Sequence, residues 1–306
     1  MRVTNNMLSS QLMLNLNRNA QKMSETQLQM STGRKINRPS DDPVGITYSL
    51  RYRAELSSND QYQKNVDSAV SWLEFNDTAL NQVGEVVQRL RDLTVQASTE
   101  TNPQAALDSI NQEIQQLKEQ IVDISNSKLN GKYIFNGQKY DEKPYDFPKN
   151  TDGSSNTTAA AGVITDTGSI NFIVGESVQL PINVNGNEVF GTDTESDNLF
   201  VIINNISAAL QSGDFNGIGA ELDNIDSRMD KILSTRAEFG AKANRVELMQ
   251  GRLSDLEVNL TDLQAKVEDA SYSELSIQSK IQENIYNASL SAGAKVISPS
   301  LVDFLR

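Results

Sequence analysis

Apolar residues near the end of the chain recur at alternating steps of four and three: Met249, Leu253, Leu256, Leu260, Leu263, Val267 and Ala270. A mean step of about 3.5 residues keeps one apolar seam turned toward a partner helix instead of drifting round the axis. Ile277 and Ile281 extend the apolar positions into the last helical stretch. A second seam of the same kind runs through Leu107, Ile110, Ile114, Leu117, Ile121 and Ile124. At the other end, residues 4–32 read as a helix with a thinner seam of Leu16, Met23 and Met30, seven apart, with polar Asn19 and Thr26 between them. Such a helix buries little apolar surface alone and is marginal in isolation.

The breaks between these runs are marked by turn residues. Gly33 is placed as a helix stop, Asp42 as an N-cap and Pro43 in the first helical turn. A short helix to about 57 and a longer one from about 60 to 97 are expected. Asn102-Pro103 makes a turn, and Asn130-Gly131 closes the third helical run. From 132 to 191 the texture becomes rich in Gly, Pro, Thr, Asn and β-branched residues. Here 133–135 and 170–174 read as strands, and 177–184 and 188–190 as the arms of a hairpin about Asn185-Gly186-Asn187. Residues 151–161 read as a loop. Helix returns over 197–212 and again from about 216, through Ile218, Leu222, Ile225, Met229 and Ile232. Two steps of three, Ala243 to Val246 to Met249, shift the register near Gly240 and Gly251, and Gly293 and Pro299 are expected to limit the last helix.

The fold class is therefore mainly α: a long antiparallel helical bundle or coiled coil formed by the N- and C-terminal halves, with a small inserted β domain. Three regions are expected: 1–40 with 270–306 as a terminal helical assembly region, 41–131 with 197–269 as a helical trunk, and 132–196 as a β-rich outer insert with mostly internal contacts.

Composition narrows the chemistry. The 306-residue chain carries a net charge of −13 and is 38% hydrophobic. That acidity argues against nucleic acid and anionic membrane surfaces as partners. With no Cys and no His, disulfides, thiolate nucleophiles, the commonest metal ligand and the commonest general base are all missing. Residues 1–19 lack a basic stretch followed by an apolar core, so a cleaved signal peptide is not expected. No apolar run reaches the roughly 18–20 residues that cross a bilayer. Asp41-Asp42 could be a carboxylate pair, but a helix cap explains it more simply. Trp72 and Tyr62 fit a bundle core better than a binding platform. Neither catalysis nor a cofactor has sequence support. A secreted coiled-coil adhesin or effector, binding through the β insert, and an acidic hydrolase stand as alternatives.

The residues from Met30 to Gly45, Met-Ser-Thr-Gly-Arg-Lys-Ile-Asn-Arg-Pro-Ser-Asp-Asp-Pro-Val-Gly, resemble the N-terminal signature of bacterial flagellins and their relatives. The stretch from Tyr286 to Ile297, followed by Ser-Pro-Ser-Leu-Val-Asp-Phe-Leu to Leu305, resembles the FlgL family, the hook-associated junction proteins of the flagellum. Flagellins usually end without that tail. The run Asn130 to Gly137, Asn-Gly-Lys-Tyr-Ile-Phe-Asn-Gly, is similar to the same family at the entrance to its outer domain. The resemblance covers both terminal thirds and only weakly the insert.

That resemblance implies a structural protein of the junction between hook and filament, without enzyme activity or cofactor. It implies export through the flagellar channel without a cleaved signal, an export chaperone in the cytoplasm, and a ring of copies between another hook-associated protein and flagellin. It adds Leu301, Phe304 and Leu305 to the expected assembly seam. Residues 88–97 and 107–114 also resemble the flagellin surface bound by the innate flagellin receptor, with Arg89, Leu93 and Glu113 at its contact positions; ordinary bundle packing explains the same residues. Filament flagellin is the nearest alternative.

Overall fold

The computed structural model describes residues 5–151, 153–192 and 194–297. The chain forms two compact units, residues 1–60 with 255–306, and residues 61–254. Its elements in order are α1 (Asn5–Thr32), α2 (Pro43–Ala97), α3 (Gln104–Ser125), β1 (Lys128–Leu129), β2 (Lys132–Tyr133), a 3-10 helix (Thr157–Gly162), β3 (Asn171–Gly175), β4 (Val178–Pro181), α4 (Gly186–Phe190), α5 (Leu199–Ser212), α6 (Phe215–Glu268) and α7 (Tyr272–Ile297). The helix-rich reading with small antiparallel sheets holds.

The central unit holds a continuous apolar core from Val66 to Leu253. Within it α2 and α6 run antiparallel. Three polar rungs set their register: Asp67 with Gln250 at 3.0 Å, Asp77 with Arg236 at 2.9 Å, and Arg91 with Asp226 at 2.6 Å. Trp72 is buried in this core and Tyr62 packs against it. On α3 the expected seam is inward, with Leu107, Ile110, Ile114, Ile121 and Ile124 buried. It faces α5, where Gln115 donates to the Ser207 hydroxyl at 2.9 Å and that hydroxyl donates to Asn111 at 2.8 Å.

Residues 128–190 differ from the expectation in three places. Asn130 and Gly131 do not end a helix. Their φ values of 51° and 82° make the two-residue turn between β1 and β2. The second hairpin is β3–β4, with Phe172 opposite Leu180. Asn185-Gly186-Asn187 is not a hairpin turn: the Asn185 side chain accepts from the Asn187 N–H and starts α4. Ile134 and Phe135 leave the short strand and enter the core. Phe135, Tyr145, Phe190 and Phe200 form one aromatic cluster. Tyr145 lies 5.2 Å from both Phe190 and Phe200 between ring centroids. Because Phe200 belongs to α5, the insert shares part of its core with the helices.

An ionic clamp reinforces that junction. Arg228 of α6 is fully buried and its guanidinium reaches Asp197 at 2.6 Å and Glu195 at 2.8 Å. It also donates to the carbonyls of Asp197 (2.7 Å) and Glu188 (3.2 Å). Gly191, at φ 99°, leaves room for it: a Cβ there would lie 2.7 Å from the guanidinium. The hydrogen bond from Arg228 holds the Glu195 carboxyl at about 2, against its ordinary 4.5.

Two expected helix breaks are absent. α2 is continuous through 57–60, because Ser-Ser-Asn-Asp is polar but contains neither Pro nor Gly. α6 is continuous through Gly240 and Gly251, as the expected run from about 216 into the terminal heptads requires; the two glycines cost propensity without ending the helix. α7 passes through Gly293. Gly33 does stop α1, at φ 69°.

Candidate assembly surface

The terminal unit contains α1, the start of α2, the end of α6 and α7. α1 packs on α7, with Asn19 donating to Ser289 at 3.4 Å and Leu12 lying over Gly293. The less exposed positions of α7 are Leu275, Ser276, Ser279, Gln282, Tyr286, Ser289 and Gly293. Six of those seven side chains are polar or missing, and the Gln282 Oε1 is buried without a hydrogen-bond partner. The outward positions carry the apolar residues instead: Ile277 is 61% exposed and Ile281 51%, with Ile285 and Leu290 also exposed. On α1, Met7, Met13 and Leu14 are exposed while Leu16, Met23 and Met30 are half-buried. Among the described residues, fifteen of the twenty large exposed apolar side chains lie in this unit. Exposed apolar surface concentrated in one unit makes this unit the candidate interaction surface.

Two connectors position these helices. In the first, 33–42, the Asp41 carboxylate accepts from the N–H groups of Asn37 (3.0 Å) and Arg38 (2.7 Å). Asp42 caps α2, accepting from Val44 (3.1 Å) and Gly45 (2.9 Å). The Asp-Asp pair is thus a loop brace and a cap. Gly45 is closely packed: a Cβ there would crowd the Asp42 carboxylate and lie 2.6 Å from Ile36 Cδ1, so both side chains would have to shift. The second connector joins α6 to α7 and pairs with the first. Arg34 bridges Asp269 in antiparallel fashion, Lys35 N–H donates to the Glu268 carbonyl at 2.6 Å, and Ala270 N–H to the Gly33 carbonyl at 3.0 Å.

Glu268, the last residue of α6, is buried at this crossing. Its carboxylate accepts from Arg53 at 2.7 and 2.5 Å, from the Ser49 hydroxyl and from Gln264 at 3.3 Å, with Arg34 at 3.6 Å. The Arg53 hydrogen bonds hold its carboxyl at about 2, well below the ordinary 4.5, against the opposing effect of burial. Pattern reading missed it. The available signal was a carboxylate in the last turn of a helix, where the macrodipole disfavours negative charge and some compensating cation is needed.

The expected seam on α6 divides. Leu253 and Leu260 are buried, Leu260 at 6% exposure, whereas Leu256 is 43% exposed and Leu263 is exposed as well. Met249 and Val267 are half-buried. One heptad position is thus inward and the other lies at the edge. Leu301, Phe304, Leu305 and Pro299 lie outside the described residues. Arg89 and Glu113 are brought together as a surface ion pair at 2.6 Å. Leu93 is 2% exposed. It is a core residue and not part of that surface.

No helix of the described residues is long and apolar enough to cross a membrane, and they contain no group of three or more Asp, Glu, His or Cys that could hold a metal ion. The arrangement defines a helical protein whose paired ends display apolar surface. Comparison with known proteins gives its relatives. Residues 3–140 match the model of the bacterial flagellin N-terminal helical region. The chain is 27% identical over 256 residues to a flagellin of Halalkalibacterium halodurans, covering 84% of this chain and 79% of that one. It is 25% identical over 270 residues to flagellar hook-associated protein 3 of Salmonella typhimurium, covering 83% and 84%. A putative flagellar hook-associated protein of Vibrio parahaemolyticus has the same fold, at a TM-score of 0.66 and 22% identity, over 75% of this chain and all of that one. The chain thus carries a flagellin-type N-terminal helical region and is similar both to flagellins and to flagellar hook-associated protein 3.

Proposed function

We propose that this chain is a structural component of the bacterial flagellum that joins hook to filament. The observation that carries the reading is the inverted helix pair at the termini: polar and small residues line the contact between α1 and α7, while Ile277, Ile281, Ile285 and Leu290 face outward. A pair built this way gains from association with other helices more than from its own seam. The roles divide by region. Residues 1–40 with 270–306 assemble, 41–131 with 197–269 form the trunk, and 132–196 form the outward insert. Its partners are copies of itself in a ring, a second hook-associated protein on the hook side and flagellin on the other. Before assembly an export chaperone holds it in the cytoplasm. It leaves without a cleaved signal, needs no cofactor and catalyses no reaction.

Filament flagellin is the second reading, supported by the flagellin relative above. Deleting the gene separates the two. Under the junction reading, the cells keep their hooks, lose filaments and shed unpolymerised flagellin into the medium. Under the flagellin reading the medium contains no such flagellin, and the purified protein polymerises into long filaments by itself. Intact filaments on the deletion strain would remove both.

A further inference from the structure

Glu268 sits where both terminal helix breaks meet. The break after α1, at Gly33, and the break between α6 and α7, at Asp269, are joined by two backbone hydrogen bonds and by little else that is local. The Glu268 carboxylate then ties this crossing to α2 through Ser49 and Arg53, and to the first connector through Arg34. We propose that Glu268 is a latch: its charged carboxylate fixes the two connectors to α2, and removing that charge frees α1 and α7 together while the central unit stays folded. The proposal does not depend on where in the flagellum the protein sits.

Three observations support a latch over general stabilisation. The carboxylate is buried, so no water replaces a lost donor at low cost. Its partners come from three separate segments, 34, 49–53 and 264, all within the terminal unit. Many of the large apolar side chains of that unit are exposed, so beside Ile36, Leu260 and Leu275 little fully buried apolar surface holds the crossing closed. The charged groups facing Glu268 are Arg53 from α2 and Arg34 from the first connector. Both are guanidinium groups and keep their charge at any pH the protein survives. Only the carboxylate itself can switch. Its depressed titration keeps the latch closed near neutrality and opens it only in strong acid.

The test is hydrogen exchange on the full-length monomer at neutral pH, comparing wild type with Glu268→Gln, Arg53→Gln and the double variant. Glu268→Gln keeps the side-chain shape and removes the charge. The latch predicts exchange at least about tenfold faster at the amides of Lys35 and Ala270 and across α1 and α7, with α3 and α5 unchanged. The double variant should match Glu268→Gln, because residues acting as one pair are not additive. Unchanged exchange at Lys35 and Ala270 would overturn the proposal. So would equal acceleration of α3 and α5, which would make Glu268 a general stabiliser, or an additive double variant, which would show that Arg53 acts elsewhere.

Discussion

Leu12 of α1 occupies the space that a side chain on Gly293 of α7 would need: its Cδ2 lies 2.5 Å from the position of a Cβ there. The glycine is therefore a contact and not a helix stop. Gly293→Leu should raise the intrinsic helicity of α7, since Gly is about 1 kcal/mol poorer than a good helix former. It should nevertheless weaken the pairing with α1. Hydrogen exchange reads both, with slower exchange within α7 and faster exchange in α1. Unchanged exchange in α1 would show that the two do not meet through this position.

The α6 seam gives a paired comparison. Leu260→Asp removes a buried side chain worth ~1.5–3 kcal/mol and puts a carboxylate in its place, at further cost. Leu256→Asp alters a side chain already 43% exposed and should cost less than about 1 kcal/mol. Thermal unfolding of the two variants should therefore differ clearly, although the residues are equivalent in a simple heptad reading. Equal losses would mean that both positions are inward.

Arg228→Met should destabilise the central unit by ~1–3 kcal/mol, because the Asp197 carboxylate loses its buried guanidinium partner but keeps Lys231 and Ser227. Denaturant melts measure this directly. For the same reason, replacing 140–190 by a Gly-Ser linker should lower the melting temperature of the remaining chain, since Phe200 loses its aromatic neighbours Tyr145 and Phe190. An unchanged melt would show that the insert core is separate after all.

Acid sensitivity follows from the carboxylates. Glu195 titrates at about 2 in the folded chain and near 4.5 ordinarily. A depressed folded value means that its contribution is complete above about 4.5 and is lost as pH falls toward 2. Glu195→Gln should therefore be less stable than wild type at neutral pH, and the difference should vanish by about pH 2. A difference that persists there would assign the effect to shape and not to charge.

Much of this was legible in sequence because periodicity reports burial. The α3 stripe, the Gly33 stop and the Asp42 cap each have a local cause that survives folding. The misreadings have physical causes too. Ser57 to Asp60 looked like a break, but only Gly or Pro carries a backbone penalty large enough to make one. Asn185-Gly186 has hairpin chemistry, yet the same Asn side chain serves equally as an N-cap, and tertiary packing chose the cap. The partners of Glu268, Arg53 and Arg228 were not legible because they lie far away in sequence; a carboxylate ending a helix was the one local signal, for Glu268. The outward face of α7 was legible only as a list of isoleucines. Which side α1 covers depends on the small residues Ser289 and Gly293, which carry no hydrophobic signal.

The central claim is that the outward face of the terminal helices assembles the protein into the flagellum without contributing to its fold. Complementing a deletion strain with the triple variant Ile277→Ser, Ile281→Ser, Ile285→Ser tests it most directly. All three side chains are exposed in the isolated chain. The account predicts a variant that melts like wild type and is found in the medium, on cells whose hooks carry no filament. Filaments of normal length on cells making only this variant would contradict it.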